Sequence, residues 1–345
     1  MNNETFKNKG LSGLANLGNT CFINSCVQVL SHTYELNTFL DKGSYKPHLK
    51  RDPGSAILLE WDNLRKLMWN ENCIISPGKF INTIQKVAQC KGRDIFTGYS
   101  QNDLPEFLLF IIDCFHTSLS REIKMTISGT PSNTTDKIAI QCFDMIKTMY
   151  SKEYSEIWNL FYAVHVSEIS DLKTGNTIKN TPEPYFMLDL PIPGNNKSPS
   201  LSDCLNLYVE GEVLDGENGL IDETTGGKID IRKKIQFWSF PNILVIGLKR
   251  FNARLHKTQT LVTFPLDDLN LSEYVIGYKK HSYVYELYGV CNHSGGVSGG
   301  HYTAYVKNAN EKWYHFNDTS VAEVGLRESI VSSKAYVLFY RKKVN

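Results

Sequence analysis

The sequence predicts an α+β protein in which a helical part packs on a mostly antiparallel sheet. Three observations predict it. Two strongly apolar helical segments lie within the first 120 residues, the texture changes to β-branched and aromatic runs after about residue 160, and polar Gly/Asn segments separate those later runs. Residues 20–32 read as a helix, because Phe22, Ile23, Cys26, Val27, Val29 and Leu30 make a broad apolar face. Residues 104–119 read as a second. Asp103 stands at its N-cap position, Pro105 in its first turn and Glu106 three positions beyond the cap. The run from Leu104 to Phe115 is apolar almost all round, which predicts a buried helix. Residues 125–137 are Ser/Thr-rich with a Gly and a Pro and predict an exposed loop. Strands are expected at 185–193, 242–251, 282–291, 301–307, 312–316 and 335–341, with polar separators at 170–182, 194–198 and 215–228. A cleft between the helical and sheet parts is the expected ligand site.

A chain of 345 residues buries a sizeable core, as one large domain or as two or three smaller ones. Its net charge of +1 gives no field that favours nucleic acid or a membrane surface. The start, MNNETFKNKG, has no apolar core of a signal peptide, and no apolar run approaches the roughly 18 residues needed to cross a bilayer. The eight cysteines are Cys21, Cys26, Cys73, Cys90, Cys114, Cys142, Cys204 and Cys291, with no C-x-x-C pair. Reduced thiols in an intracellular protein, cytoplasmic or nuclear, are the expectation, with no zinc site from C-x-x-C pairs and no other metal or cofactor.

Cys21 falls at the expected N-terminus of the first helix, after Gly18-Asn19-Thr20. Free backbone N–H groups and the positive end of the helix dipole there favour a thiolate and can hold a developing oxyanion. A nucleophilic thiol needs a base, and the base an orienting group. His301 follows a glycine-rich loop, Gly295-Gly296-Val297-Ser298-Gly299-Gly300, and opens a strand. In Trp313-Tyr314-His315-Phe316-Asn317-Asp318, strand alternation puts Trp313, His315 and Asn317 on one face. Asn317 is a candidate orienter through its carboxamide oxygen, Asp318 is its rival, and His315 is a rival base that spacing alone leaves open. The sequons Asn292-His293-Ser294 and Asn317-Asp318-Thr319 fall inside this candidate site, where a glycan would block it, which agrees with an intracellular setting.

These pieces together resemble the ubiquitin-specific protease family. The segment Gly13-Leu14-Ala15-Asn16-Leu17-Gly18-Asn19-Thr20-Cys21-Phe22-Ile23-Asn24-Ser25, with Gln28, is similar to the family's cysteine box. Gly299-Gly300-His301-Tyr302-Thr303-Ala304-Tyr305 and Trp313 to Asp318 are similar to its histidine box, Gln101-Asn102-Asp103-Leu104-Pro105-Glu106-Phe107 to its Q-x-D-x-x-E-F helix start, and Leu248-Lys249-Arg250-Phe251 to its L-K-R-F strand. Four motifs in order span residues 11–341, where any one short motif would be weak.

The resemblance implies a papain-like cysteine protease fold: a tail at 1–10, then a catalytic domain at 11–345 with a helical thumb (about 11–150), extended β fingers (about 155–240) and a β-rich palm (about 241–345). It implies a thiol-dependent deubiquitinating hydrolase that cuts after ubiquitin's C-terminal glycine. Its partners are ubiquitin and ubiquitinated proteins, and a monomer is expected. Cys21 becomes the nucleophile, His301 rather than His315 the base, Asn317 the orienter with Asp318 as helper, and Asn16 with the Cys21 amide the oxyanion hole. Gln101, Asp103 and Tyr302 match the channel for the ubiquitin tail, beside the Gly299–Gly300 turn. A helix cap explains Asp103 equally well, and a half-buried strand position Tyr302. The glycine loop at 294–300 suggests a resting site that ubiquitin realigns.

The sequence departs from the family in the fingers. The stretches 161–176 and 214–230, where the family commonly carries two zinc-binding C-x-x-C pairs, contain no cysteine. The acidic run from Glu210 to Glu223 reads as a solvated loop more than as a face for a basic partner. The rival readings are a catalytically inactive ubiquitin-binding module, against which Cys21, His301 and Asn317 argue, a protease for a ubiquitin-like modifier, and a general Cys-His-Asn transferase.

Overall fold

The computed structural model describes residues 3–343 apart from 99, 195, 222–225 and 297–298. Val297 and Ser298 of the glycine loop, and Asp222 and Glu223 of the acidic run, lie outside the described residues. Eight α-helices occur among the described residues: α1 (Cys21–Ser31), α2 (Tyr34–Asp41), α3 (Gly54–Asn70), α4 (Gly78–Cys90), α5 (Leu104–Leu119), α6 (Thr134–Glu153), α7 (Glu156–Phe161) and α8 (Leu201–Glu210). The two expected helices fall within a residue of α1 and α5. The expected loop at 125–137 is too long at its C-terminal end: α6 begins at Thr134, where the Asn133 side chain accepts the Asp136 N–H at 2.9 Å. Polar capping residues read as loop although they start a helix.

Sixteen strands occur among the described residues. Two short ones, β1 (Gly13–Leu14) and β2 (Ile74–Ile75), pair in parallel. A four-stranded sheet orders β4 (Thr177–Tyr185), β3 (Ala163–Asp171), β9 (Ile231–Phe237) and β6 (Glu212–Leu214), while β7 (Leu220–Ile221) pairs β8 (Lys228–Ile229). The large sheet runs β15 (Ser320–Glu323), β14 (Trp313–Asn317), β13 (Gly299–Lys307), β12 (Val284–Gly296), β16 (Ala335–Lys342), β10 (Ile243–Leu248) and β5 (Met187–Leu190), with β11 (Leu269–Asn270) added on β12. All its pairings are antiparallel except β5 with β10. The last strand made, β16, therefore lies in the middle of the sheet.

The centre of this sheet is covered on both faces, which explains why β10 and β16 are continuously apolar rather than alternating. Val245, Val337 and Phe339 face a core shared with α1, α3, α4 and α5. Leu244, Ile246, Leu338 and Tyr340 face a second core closed by Leu201, Cys204 and Leu205 of α8. An edge-to-face pair, Phe22 on Phe107 at 5.3 Å, locks α1 against α5.

The polar segments 170–182 and 215–228 were expected to separate strands; instead they contain β7 and most of β4. Their side chains are largely solvated, so no buried face imprints a pattern. Hydrogen-bonded turns close the distal end of the small sheet. Asp171 Oδ1 accepts the Thr174 N–H at 2.6 Å, Asp230 Oδ1 accepts Gly216 N–H at 2.9 Å, and the Asp230 carbonyl accepts Leu172 N–H at 2.9 Å. This donor set does not fit zinc. It has no thiol, its two carboxylates are engaged by backbone amides, and no three His, Cys, Asp or Glu side chains converge among the described residues.

Candidate active site

Cys21 opens α1 and is 2% exposed. No side chain caps this helix, so its first-turn amides stay available. The loop before it is organised by Asn16, whose Oδ1 accepts the N–H groups of Gly18 and Thr20, both at 3.1 Å. Gly18 and Asn19 take the left-handed conformations that turn the chain into the helix, at φ 101° and 53°. The expected resting thiolate is not what the surroundings favour. Burial pushes the Cys21 thiol up and the Asp318 carboxylate adds to this, while the backbone amides of Tyr302, Phe22 and Cys21 offset it only in part.

His301 stands on β13, and its Nε2 lies 2.7 Å from Asn317 Oδ1 on β14. An amide oxygen only accepts, so Nε2 carries the proton and Nδ1 is left with its lone pair. Among the described residues no hydrogen bond joins His301 to Cys21. His315 packs its ring on Tyr305 at 4.9 Å. Asp318 takes a different place from that of a histidine helper. It occupies the left-handed turn between β14 and β15 at φ 49°, and its carboxylate accepts Asn16 Nδ2 at 3.0 Å and Asn24 Nδ2 at 2.8 Å. Its carbonyl accepts the Leu14 N–H at 2.8 Å. The approach is close enough that a Cβ on Gly13 would meet the Thr319 carbonyl at 2.3 Å. Asp318 thus orients Asn16 from below. One Nδ2 hydrogen of Asn16 is used, and the other remains for the cleft.

Of the remaining expected residues, Gln101, Asp103 and Tyr302 line a cleft of about 360 Å³ between the start of α5 and the end of the large sheet, walled also by Phe251, Leu255, His293 and Tyr336, while Gly299 and Gly300 are not among its lining residues. Asp103 does not cap α5. Its carboxylate accepts the hydroxyls of Tyr336 at 2.9 Å and Tyr302 at 3.3 Å instead, and withdrawal from water raises its pKa against the pull of those two bonds. The cap reading fails because two phenols compete successfully for the same oxygen. Gln101 Nε2 donates to the Gly300 carbonyl and its Oε1 accepts the Gly300 N–H, both at 2.6 Å, which bridges the cleft beside His301. Gly299 sits at the opening of β13 with open space around it.

The sequence profile of the ubiquitin carboxyl-terminal hydrolases matches residues 12–340. The chain belongs to the ubiquitin carboxyl-terminal hydrolase family. It is 35% identical to human ubiquitin carboxyl-terminal hydrolase 2 over 345 residues, covering 96% of this chain and 55% of that protein. It is 34% identical to Drosophila melanogaster Usp2, covering 97% of this chain and 35% of that one. The chain thus spans about half or less of the length of these relatives. Among solved structures, the SAGA DUB module Ubp8/Sgf11/Sus1/Sgf73 bound to ubiquitin aldehyde superposes with a TM-score of 0.73 at 26% identity, over 100% of this chain and 72% of that one. The same module bound to monoubiquitin gives 0.74 at 25%, over 98% and 70%. The papain-like fold of the hydrolase family is therefore that of this chain.

Three residues that contact the expected site residues or the cleft lining carry no motif of their own. Asn24 stands one helical turn after Cys21, and that i, i+3 spacing was a usable signal. Tyr336 and Lys257 carried none, because only the tertiary fold brings Tyr336 to the cleft and Lys257 to His293.

Proposed function

We propose that this chain is a thiol-dependent hydrolase that cleaves the bond after the C-terminal glycine of ubiquitin. The observation that carries the proposal is the His301–Asn317 bond at 2.7 Å, on strands packed against the helix that Cys21 opens. With Nε2–H held by Asn317, Nδ1 of His301 is the nitrogen that takes the Cys21 proton once the two approach. The sulfur then attacks the glycine carbonyl carbon, and the carbonyl electron pair moves to oxygen. That oxygen is held by the free Nδ2 hydrogen of Asn16 and the Cys21 amide, donors worth roughly 3–4 kcal/mol to a transition state. Collapse expels the lysine amine, protonated by His301, and leaves a thioester. Water, deprotonated by His301, hydrolyses it and frees Cys21. Because the resting thiol is buried and protonated, tail entry and thiolate formation belong to one step.

Gln101, Asp103, Tyr302, Gly299 and Gly300 serve the tail slot in this reading, where a narrow cleft rejects side chains larger than glycine. The division into thumb, fingers and palm is supported by helices α1–α6 within 21–153 and the small sheet within 163–237, although β5 and α8 leave the fingers segment to join the palm. A monomer in a reducing compartment, cytoplasmic or nuclear, fits eight free cysteines. No helix among the described residues is long and apolar enough to cross a membrane.

The test is reaction of the purified chain with ubiquitin carrying a C-terminal electrophile. An adduct on Cys21, lost in Cys21→Ala, supports the proposal. Binding without an adduct under reducing conditions supports the inactive module, and preference for a ubiquitin-like modifier bearing the same electrophile moves the substrate assignment.

A further inference from the structure

Two cations beside the cleft have no carboxylate partner among the described residues. Arg250, 1% exposed, donates to the carbonyls of Ala335 at 2.6 Å, Thr260 at 2.8 Å and Thr258 at 3.4 Å. Lys257 Nζ donates to the carbonyl of His293 at 2.6 Å and to its Nδ1 at 2.9 Å. Between them an isolated antiparallel bridge, Phe251 with Lys257, closes a short hairpin whose tip, Leu255, is 62% exposed. The hairpin supplies Phe251 and Leu255 to the cleft wall. Arg250 fixes its base. Its returning arm is tied to the large sheet through Lys257.

The group that Lys257 grips is well placed to matter. His293 is 4% exposed and lies across from Tyr302 in the β12–β13 register. Its ring lies tilted against Tyr302 at 4.5 Å and meets Phe251 at 5.8 Å and Tyr336 at 5.7 Å. A Cβ on Gly300 would lie 2.3 Å from its Nε2. The imidazole is thus a spacer that touches the residues on both sides of His301. Burial and the Lys257 ammonium push its pKa down to about 4, so it stays neutral at ordinary pH. A neutral ring with Nδ1 accepting from Lys257 keeps its proton on Nε2.

We propose that Lys257 is a positioning residue for the tail slot. By clasping the 251–257 hairpin to His293 it fixes the wall facing Asp103 and the level of Gly300, and so sets how narrow the slot is. Without it, two acceptors of His293 lose a charge-assisted donor in a mostly buried place, and the hairpin loses its tie to β12. The inference rests on the ubiquitin-hydrolase reading and goes beyond it, because Lys257 is not among the expected site residues and its hydrogen bonds go to His293.

The test is steady-state hydrolysis of a fluorogenic amide at the C-terminus of ubiquitin, and of the same amide on ubiquitin with alanine in place of its penultimate glycine. Lys257→Met is expected to raise KM about tenfold with kcat within about twofold, and to relax the discrimination against alanine by about tenfold. Lys257→Arg, which keeps a charged donor, is expected to return both to within about threefold of the wild type. Unchanged KM and discrimination in Lys257→Met would overturn the proposal. So would a loss of kcat alone, or a loss that tracks a fall in melting temperature and is not rescued by arginine. A wild-type chain that is folded yet turns over neither amide refutes the hydrolase reading itself, and that result is read before any variant is made.

Discussion

At the scale of single residues, the site is a set of amides and carboxylates that hold one another in place. Asp318 acts on Asn16 and Asn24, not on His301. Asn16→Ala is expected to lower kcat by about 10²–10³-fold, and Asp318→Ala by about tenfold or more, with little change in KM for either. Because Asp318 works through Asn16, the double variant is expected to be no slower than Asn16→Ala alone. Kinetic effects that multiply would show that the carboxylate has an independent role. The position of Cys21 at a helix start was a local pattern, but spacing left His301 against His315 and Asn317 against Asp318 open, and only the resemblance of the four motifs chose His301 and Asn317. The state of the thiol was not legible. A helix N-terminus predicts a thiolate, but burial and Asp318 outweigh it, and both depend on residues about 300 positions away.

At the scale of elements, the sequence is most informative where an element buries a regular face. β10 and β16 were visible as apolar runs because two cores cover them. β3 and β4 were blurred, because their distal halves pack against little. What holds the far end of the small sheet is instead a pair of aspartate turns. Asp230→Ala removes the acceptor for the Gly216 amide, a bond of roughly 1 kcal/mol, and is expected to raise KM for a ubiquitin amide about threefold. Alkylation of Cys21 by iodoacetamide, which needs no large surface, is expected to proceed at the wild-type rate. A slowed alkylation would mean that the turn supports the whole fold and not the distal sheet alone. Since the described residues at that end carry no thiol ligands, a zinc chelator is expected to leave activity and melting temperature unchanged, and stoichiometric zinc in the purified chain would contradict this.

At the scale of the whole molecule, acid sensitivity follows from histidines that fold in the neutral form. His32 is fully buried, its Nδ1 lies 2.9 Å from the Gln28 carbonyl, and its Nε2 has no partner. Burial pushes its pKa down to about 4, with the Arg341 charge adding to it. The unfolded chain binds that proton near pH 6.5, so stability is full above about 6.5 and falls as pH drops toward 4, by roughly 3 kcal/mol for this group. His293 adds to the slope with the same sign. Melting temperature is expected to fall steadily from pH 6.5 to 4.5, and His32→Gln is expected to flatten that slope. An unchanged slope in the variant would move the cause to other groups.

The placement of β16 between β12 and β10 has a consequence in time. The strand that completes the large sheet is the last to be synthesised, and Asn317 and Asp318 precede it only slightly. A ribosome adding about 5–20 residues each second makes His301, Asn317 and Asp318 about 15–60 seconds after Cys21. Through that interval the nascent chain carries Cys21 without His301 and a sheet without its centre. A truncation upstream of residue 301 lacks the histidine permanently, and one between 319 and 334 keeps His301 and Asn317 but lacks the strand at the sheet's centre.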